Sequence, residues 1–283
     1  MPLVFVPTPL GNLRDITLRA LAVLRECDLL VAEDTRVARK LMTALHLPGK
    51  ELQSYREQNA AAVTEGILER ARTQTVAVVC DAGMPGISDP GSALIAAART
   101  SGIGVSVLPG PSAVIGAVVL SGFDVHRFTF SGFLPRTSSA RRAALAAAGA
   151  LTTAWYDSPQ RIRASLRDLE TIDPARRCFI LREYTKLHEQ QILGTPAEVA
   201  DALPQPVRGE IVLVVEGKPA VAAPLVDFES AADALLDERR SVATIAKMLV
   251  ERGYGERRDI YARIAQRKAL RQDAHAPRTT PTR

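Results

Sequence analysis

Cysteine is scarce in this chain of 283 residues. Cys27, Cys80 and Cys178 lie far apart, form no CxxC pair and sit in or beside apolar stretches. That excludes a disulfide framework and points to reduced thiols in a cytosolic protein. Histidine is as sparse, and His46, His126, His188 and His275 are too scattered for zinc spacing, so no metal is expected. Neither GxGxxG nor GxxxxGK[ST] occurs, which removes the dinucleotide and phosphate-loop readings and disfavours a nucleotide hydrolase. The opening "MPLVFVPTPLGNLRD" has no basic segment followed by a long apolar core, so no signal peptide is expected and the expected location is the cytoplasm. Residues 102–123 carry no charge, a length that would span a bilayer on paper. Pro-Gly-Pro at 109–111 breaks them into a strand-like "VSVL" and a small-residue helix from Ser112, so no membrane partner is expected.

What is present reads as an ordinary folded protein. The chain is 47% hydrophobic and 24% charged, which provides for a sizeable core. A net charge of +5, carried mostly by arginine, is compatible with a polyanionic partner. Short apolar runs at residues 3–6, 29–32, 76–79 and 105–108 alternate with helical patterns, as in a parallel sheet covered on both faces. A second set of runs follows at 128–130, 151–156, 178–181, 190–193 and 210–217. The expected fold class is α/β, with two α/β domains (1–123 and 124–224) around a cleft. A helical appendage at 225–271 resembles a helix-turn-helix, with Val242, Ile245, Ala246 and Leu249 on one face and Ile260, Tyr261 and Ile264 turned inward after a "GYG" turn. Its arginines suit phosphate contact, and residues 272–283 are expected to be a disordered tail.

The loops carry the functional signal. "DAGMPGISDP" at residues 81–90 places two glycines, two prolines and two aspartates at a strand end. Such a segment continues neither strand nor helix; it brings backbone groups close to something small. "PTPLGNLRDITLRAL" after the first strand and "PGPSA" at 109–113 are built alike, and Asp15 or Thr17 is placed to cap the first helix. All three emerge at the carboxyl edge of one sheet, where open α/β folds bind ligands.

In order along the chain stand "TPLGNLRDITLRAL", "DLLVAEDTR", "DAGMPGISDPG", "LPGPSA", "SGFLPR", "YDSPQR", "REYTK" and "GEIVLVVEG". Over roughly residues 3–270 this set resembles the ribosomal RNA small subunit methyltransferase I family, in the tetrapyrrole-methylase-like class of S-adenosylmethionine enzymes. The resemblance implies two α/β domains with S-adenosylmethionine folded into the cleft between them, in a homodimer. It also implies 2′-O-methylation of the ribose of a decoding-centre cytidine of 16S rRNA on the small ribosomal subunit.

Carried across by motif, the implied cofactor-binding residues are Leu10, Gly11, Asp81, Ala82, Gly83, Met84, Ile87, Ser88, Ser112 and Ala113 from the first half. Phe133, Leu134, Tyr156, Glu210 and Ile211 come from the second. Asp89 reads as a turn-forming aspartate. Candidate RNA-binding residues are Arg36, Arg56, Asn59, Arg136, Arg182, Lys186, Arg257, Arg258 and Arg263. Asp34, Glu57 and Glu183 are unranked candidates for the base that takes the hydroxyl proton. The chain departs from the family pattern at Arg56 and Gln160, where histidine is common, at Met84 for threonine, and at Thr137 for lysine, so no histidine base is available at 56 or 160. Two other classes are weighed beside this reading: a tetrapyrrole methyltransferase acting on a small molecule, and a non-catalytic rRNA-binding assembly factor. The arginine-rich motifs oppose the first and the intact loops oppose the second.

Overall fold

Strand–helix alternation through the first half yields β1 (Leu3–Phe5), α1 (Leu18–Glu26), β2 (Leu29–Ala32), α2 (Thr35–Ala44), β3 (Glu51–Ser54), α3 (Ala60–Arg70), β4 (Val76–Val79), α4 (Gly91–Thr100), β5 (Val105–Val107) and α5 (Ala113–Leu120). These come from a computed structural model, which describes residues 3–218, 227–238 and 240–274. The five strands run parallel in the order β3-β2-β4-β1-β5. Alternate side chains divide between the faces. Leu3, Phe5, Leu29, Val31, Val76 and Val78 pack beneath α3 and α4. Val4, Val6, Leu30, Ala32, Ala77 and Val79 pack beneath α1 and α2. Thr17, not Asp15, caps α1 by accepting from the Ala20 amide. The connection from β1 leads toward β2 and that from β4 leads across to β5, so the crevice between β1 and β4 is the switch point of the sheet.

The second half adds β6 (Phe128–Phe133), α6 (Ser138–Ala147), β7 (Thr152–Asp157), α7 (Ile162–Ile172), β8 (Cys178–Arg182), β9 (Gln190–Gly194), α8 (Pro196–Ala202) and β10 (Ile211–Val215). Here the sheet is mixed, in the order β6-β7-β10-β8-β9, with only β6 and β7 paired in parallel. Trp155, Ile180 and Leu213 face α6, α7 and α8. The opposite face, with Ala154, Phe179, Leu181, Val212 and Val214, is covered by Val114, Ala117 and Val118 of α5. By packing, then, α5 belongs to the second sheet, and the crossover lies at the Pro-Gly-Pro bend, ahead of the division expected after Phe123.

The chain forms two compact units, Met1–Gly217 and Lys218–Arg283, so both sheets share one body. The second unit contains α9 (Phe228–Asp237), α10 (Val242–Glu251) and α11 (Arg257–Ala274). Their core includes Ala232, Leu235, Ile245, Ala246, Leu249, Ile260 and Ile264. Tyr261, expected inward, is 48% exposed, because the i, i+4 pair Ile260 and Ile264 already fills the inner face. Three acidic residues of α9 meet three arginines of α11 at matching spacing: Glu229–Arg263 at 2.8 Å, Asp233–Arg267 at 2.6 Å and Asp237–Arg271 at 2.9 Å. Helix α11 continues through Ala274, past the expected end of the appendage, and residues 275–283 of the expected tail lie outside the described residues. Cys27, Cys80 and Cys178 are free thiols. Among the described residues no helix is long and apolar enough to cross a membrane.

Candidate functional site

Because β4, β1 and β5 are neighbours, the three glycine–proline loops meet at one edge. The first two are tied by a reciprocal pair: the Thr8 amide donates to Gly83 O at 2.9 Å and the Gly83 amide to Thr8 O at 3.0 Å. Gly83 holds φ +81°, and a Cβ there would stand 2.9 Å from Leu10 Cδ2 and 3.8 Å from Pro111 O, so all three loops converge on this residue. Asp89 shapes the second loop from within, accepting from the amides of Gly86 (2.8 Å) and Gly91 (2.7 Å). Its turn-forming role is thereby borne out. The amides of Ala82, Met84 and Ile87 donate to no described residue, and Ala113 heads α5, whose first turn Ser112 caps through Ile115.

The second half supplies an aromatic and acidic wall. Phe133 and Tyr156 rings lie 5.3 Å apart, and the Leu134 amide donates to Tyr156 O at 3.0 Å. Leu134 and Ile211 have buried side chains in the second core, so only their backbone is available to a ligand. Burial pushes the Tyr156 hydroxyl up to about 12, with further contributions from Cys80, Glu210 and Asp89. Cys80 likewise rises to about 12, chiefly from burial and then from Asp89. Tyr156 of the second sheet thus lies within electrostatic reach of Asp89 in the 81–90 loop. Lys186 bridges the two sheets: its Nζ donates to Glu183 Oε1 and Glu210 Oε2, each at 2.9 Å, and its stem lies against Gly11.

Beside the loops, the tips of β2, β3 and β4 enclose a cleft of about 1290 Å³. Its walls include Glu33, Asp34, Arg36, Arg56, Glu57 and Asp81, and the 81–90 loop also lines it through Gly86, Ser88 and Asp89. Asp34 caps α2, and its carboxylate accepts from the Arg36 amide (2.8 Å) and guanidinium (2.6 Å), with Arg56 at 3.8 Å. The Arg36 side chain and amide hold that carboxyl well below the usual carboxylate range, which makes Asp34 a poor proton acceptor. Burial would raise Glu183, yet Lys186 and the Glu210 amide hold it below the ordinary value. Glu33 moves the other way: burial, then the charges of Asp81 and Asp89, push it up against the pull of Arg56.

The candidate RNA contacts differ in what already engages them. Arg36 and Arg56 line the cleft. Asn59 is engaged in folding its own loop, accepting from the Arg56 amide and donating to Ser54 O. Arg182 is 8% exposed, its guanidinium bonded to Gln190, Arg208 O and His188 O, which leaves it no free face. Lys186 is held by its two glutamates. Arg263 pairs with Glu229 and lies 3.6 Å over the Phe228 ring. The side chains of Arg136, Arg257 and Arg258 have no partner among the described residues. Glu33, a cleft residue, was legible in "EDTR" but its neighbour Asp34 drew the assignment.

Residues 2–200 match the family described as Tetrapyrrole (Corrin/Porphyrin) Methylases, the class that the two-lobed fold and its loop-built edge define. Solved structures agree at the level of fold. Diphthine synthase superposes with a TM-score of 0.58 at 16% identity over 76% of this chain and 89% of that one. A cobalt precorrin-4 methyltransferase does so with 0.55 at 16% identity, over 76% and 94%. Among curated proteins, Ribosomal RNA small subunit methyltransferase I of Thermotoga maritima is 42% identical over 219 residues, 76% of this chain and 98% of that protein. Its namesake in Mycobacterium tuberculosis strain H37Rv is 42% identical over 228 residues, 79% of each. The chain belongs to the ribosomal RNA small subunit methyltransferase I family.

Proposed function

We propose that the chain transfers the methyl group of S-adenosylmethionine to the ribose 2′-hydroxyl of a decoding-centre cytidine of 16S rRNA in the small ribosomal subunit. The observation that carries this reading is the position of residues 81–90. The loop is at once part of the glycine–proline edge and a wall of the arginine-bearing cleft, so a small donor and a large anion would meet across it. The relatives' name, with its ribosomal RNA substrate, supports the same reading.

The residues suit the donor. Unengaged amides at 82, 84 and 87 await an acceptor along the loop that Gly83 bends at φ +81°. Asp81, Asp89, Glu33 and Glu210 surround the region with negative charge, which suits a sulfonium and an ammonium. Leu10, Gly11, Asp81–Met84, Ile87, Ser88, Ser112 and Ala113 would hold it from the first sheet. Phe133, Leu134, Tyr156, Glu210 and Ile211 would hold it from the second. When bound, S-adenosylmethionine supplies a methyl group already activated by positive sulfur. The protein then has to align oxygen, carbon and sulfur, and positioning of that kind is worth up to about 7–11 kcal/mol. Arg36 and Arg56 would receive phosphates at the cleft, and Arg257 and Arg258 of the appendage would add further backbone contacts without reading sequence. The first sheet and its loops would form the donor-binding part, the second sheet with α5 would complete it, and residues 225–271 would face RNA, in a cytoplasmic homodimer.

Mass mapping of ribose methylation in 16S rRNA, from small subunits incubated with donor and with or without this protein, tests the reading. One new 2′-O-methyl mark on a decoding-centre cytidine is expected. Turnover of corrin precursors with no mark on the subunit would replace it by small-molecule methylation.

A further inference from the structure

The carboxylates around the cleft differ in what already holds them. Asp34 is held by Arg36 and Arg56. Asp81 accepts from the Asp34 amide at 3.1 Å. Asp89 is engaged by the amides of its own loop. Glu183 and Glu210 share Lys186. Two cleft carboxylates remain, Glu33 and Glu57, and neither accepts a hydrogen bond from any described residue. Glu57 is exposed, whereas Glu33 is half-buried.

Position separates them further. Glu33 follows Ala32, and Ala32 pairs with Val79 across the β2–β4 ladder. Glu33 therefore stands opposite Cys80, one residue from the start of the 81–90 loop. Its backbone is fixed, because its carbonyl accepts from Arg56 Nε at 2.7 Å and from Ser54 Oγ at 3.3 Å. A fixed main chain with an unengaged carboxylate beside the donor loop is the arrangement a proton acceptor needs.

Resting on the methyl-transfer reading above, we propose that Glu33 is the general base that takes the proton of the ribose 2′-hydroxyl. In that step the O–H bond breaks and its proton passes to a Glu33 carboxylate oxygen. The electron pair left on oxygen forms the new O–CH₃ bond, and the S–CH₃ bonding pair returns to sulfur. A carboxylate and a sulfonium thus become a neutral acid and a neutral thioether, so atoms and charge balance without any further reactant. The charged groups facing Glu33 are Asp81 and Asp89 from the loop after β4, Asp34 beside it and Arg56 from the segment after β3. The aspartates together with burial prevail over the arginine, which makes Glu33 a stronger base than a free glutamate.

Single-turnover methylation of small subunits by Glu33→Gln, Glu33→Asp and Glu57→Gln, followed from about pH 5 to about pH 9, tests the assignment, with calorimetric donor affinity measured alongside. Glu33→Gln is expected to lose about 10²–10⁴-fold in rate, to lose the acid limb of the profile and to keep donor affinity. Glu33→Asp restores part of the rate and the limb. Glu57→Gln stays within about tenfold of the parent. A Glu33→Gln rate within about tenfold of the parent, or a loss of donor binding that accounts for the loss of rate, overturns the proposal while leaving the methyl-transfer reading intact. A parent protein that binds donor yet methylates no subunit overturns both.

Discussion

The stem of Lys186 occupies the space that a side chain at Gly11 would need: a Cβ there would lie 2.2 Å from Lys186 Cγ. Cγ is close to the main chain, and the ammonium beyond it is held by Glu183 and Glu210, so the lysine has little room to yield. Asn12 adds a second tie, its amide donating to Thr185 Oγ1 at 3.2 Å. The first loop of one sheet is thereby held against the segment that follows β8 in the other.

Gly11→Ala should disrupt that contact. Overpacking of this kind costs about 1–3 kcal/mol, and denaturant unfolding of the variant should show a lower midpoint with an unchanged slope. An unchanged midpoint would mean that the lysine moves aside freely.

Asp34→Asn separates the two roles open to that residue. Asparagine still caps α2, but the charge that holds Arg36 and Arg56 is gone. Methylation should persist, because the proton goes elsewhere. Subunit binding should tighten at low salt, with the slope of log affinity against log salt steeper by about 0.7–0.9 for one further phosphate neutralised. Loss of turnover at unchanged binding would return Asp34 to the role of base.

The raised carboxyl of Glu33 has a sign that can be checked on stability. Its folded form holds a proton more tightly than the unfolded chain does. Stability therefore falls as pH rises from the ordinary glutamate value, about 4.3, through the raised folded value. Above that window the buried charge is a full penalty. Glu33→Gln removes it and should raise Tm at pH 7, with no gain below about pH 4. Equal or lower Tm at pH 7 would contradict the electrostatic picture of the cleft.

Ile264→Ala tests the independence of the appendage. The side chain is fully buried in the α9–α11 core, and its truncation costs about 2–5 kcal/mol. Calorimetry should show the helical unit melting early, while donor affinity stays at the parent value because every loop proposed to hold the donor lies in Met1–Gly217. A parallel fall in donor affinity would show that the two units depend on each other.

Much of the fold could be read in the chain because buried parallel strands leave continuous apolar runs: β1, β2 and β4 are buried at every position. Strand β3 carried no such mark, since "ELQS" forms an edge with no fully buried residue. The loops were legible because glycine and proline sit where the backbone must turn. Pairwise choices at the site were not. "EDTR" shows two adjacent carboxylates, and only three dimensions reveal that α2 turns Asp34 onto Arg36 while Glu33 stays free. Likewise, the arginines of α11 look like a cationic surface until the acidic row of α9 is set against them.

Calorimetric titration of S-adenosylmethionine into the full chain and into Gly83→Ala tests the central claim most directly. Gly83 joins the three loops at φ +81°, and a Cβ there would press on Leu10 Cδ2 at 2.9 Å. The left-handed backbone alone costs an alanine about 1–2 kcal/mol. We predict one saturable site per chain, weakened at least about tenfold by the substitution. No binding by the parent, or equal affinity in the variant, would contradict the claim that these loops hold the donor.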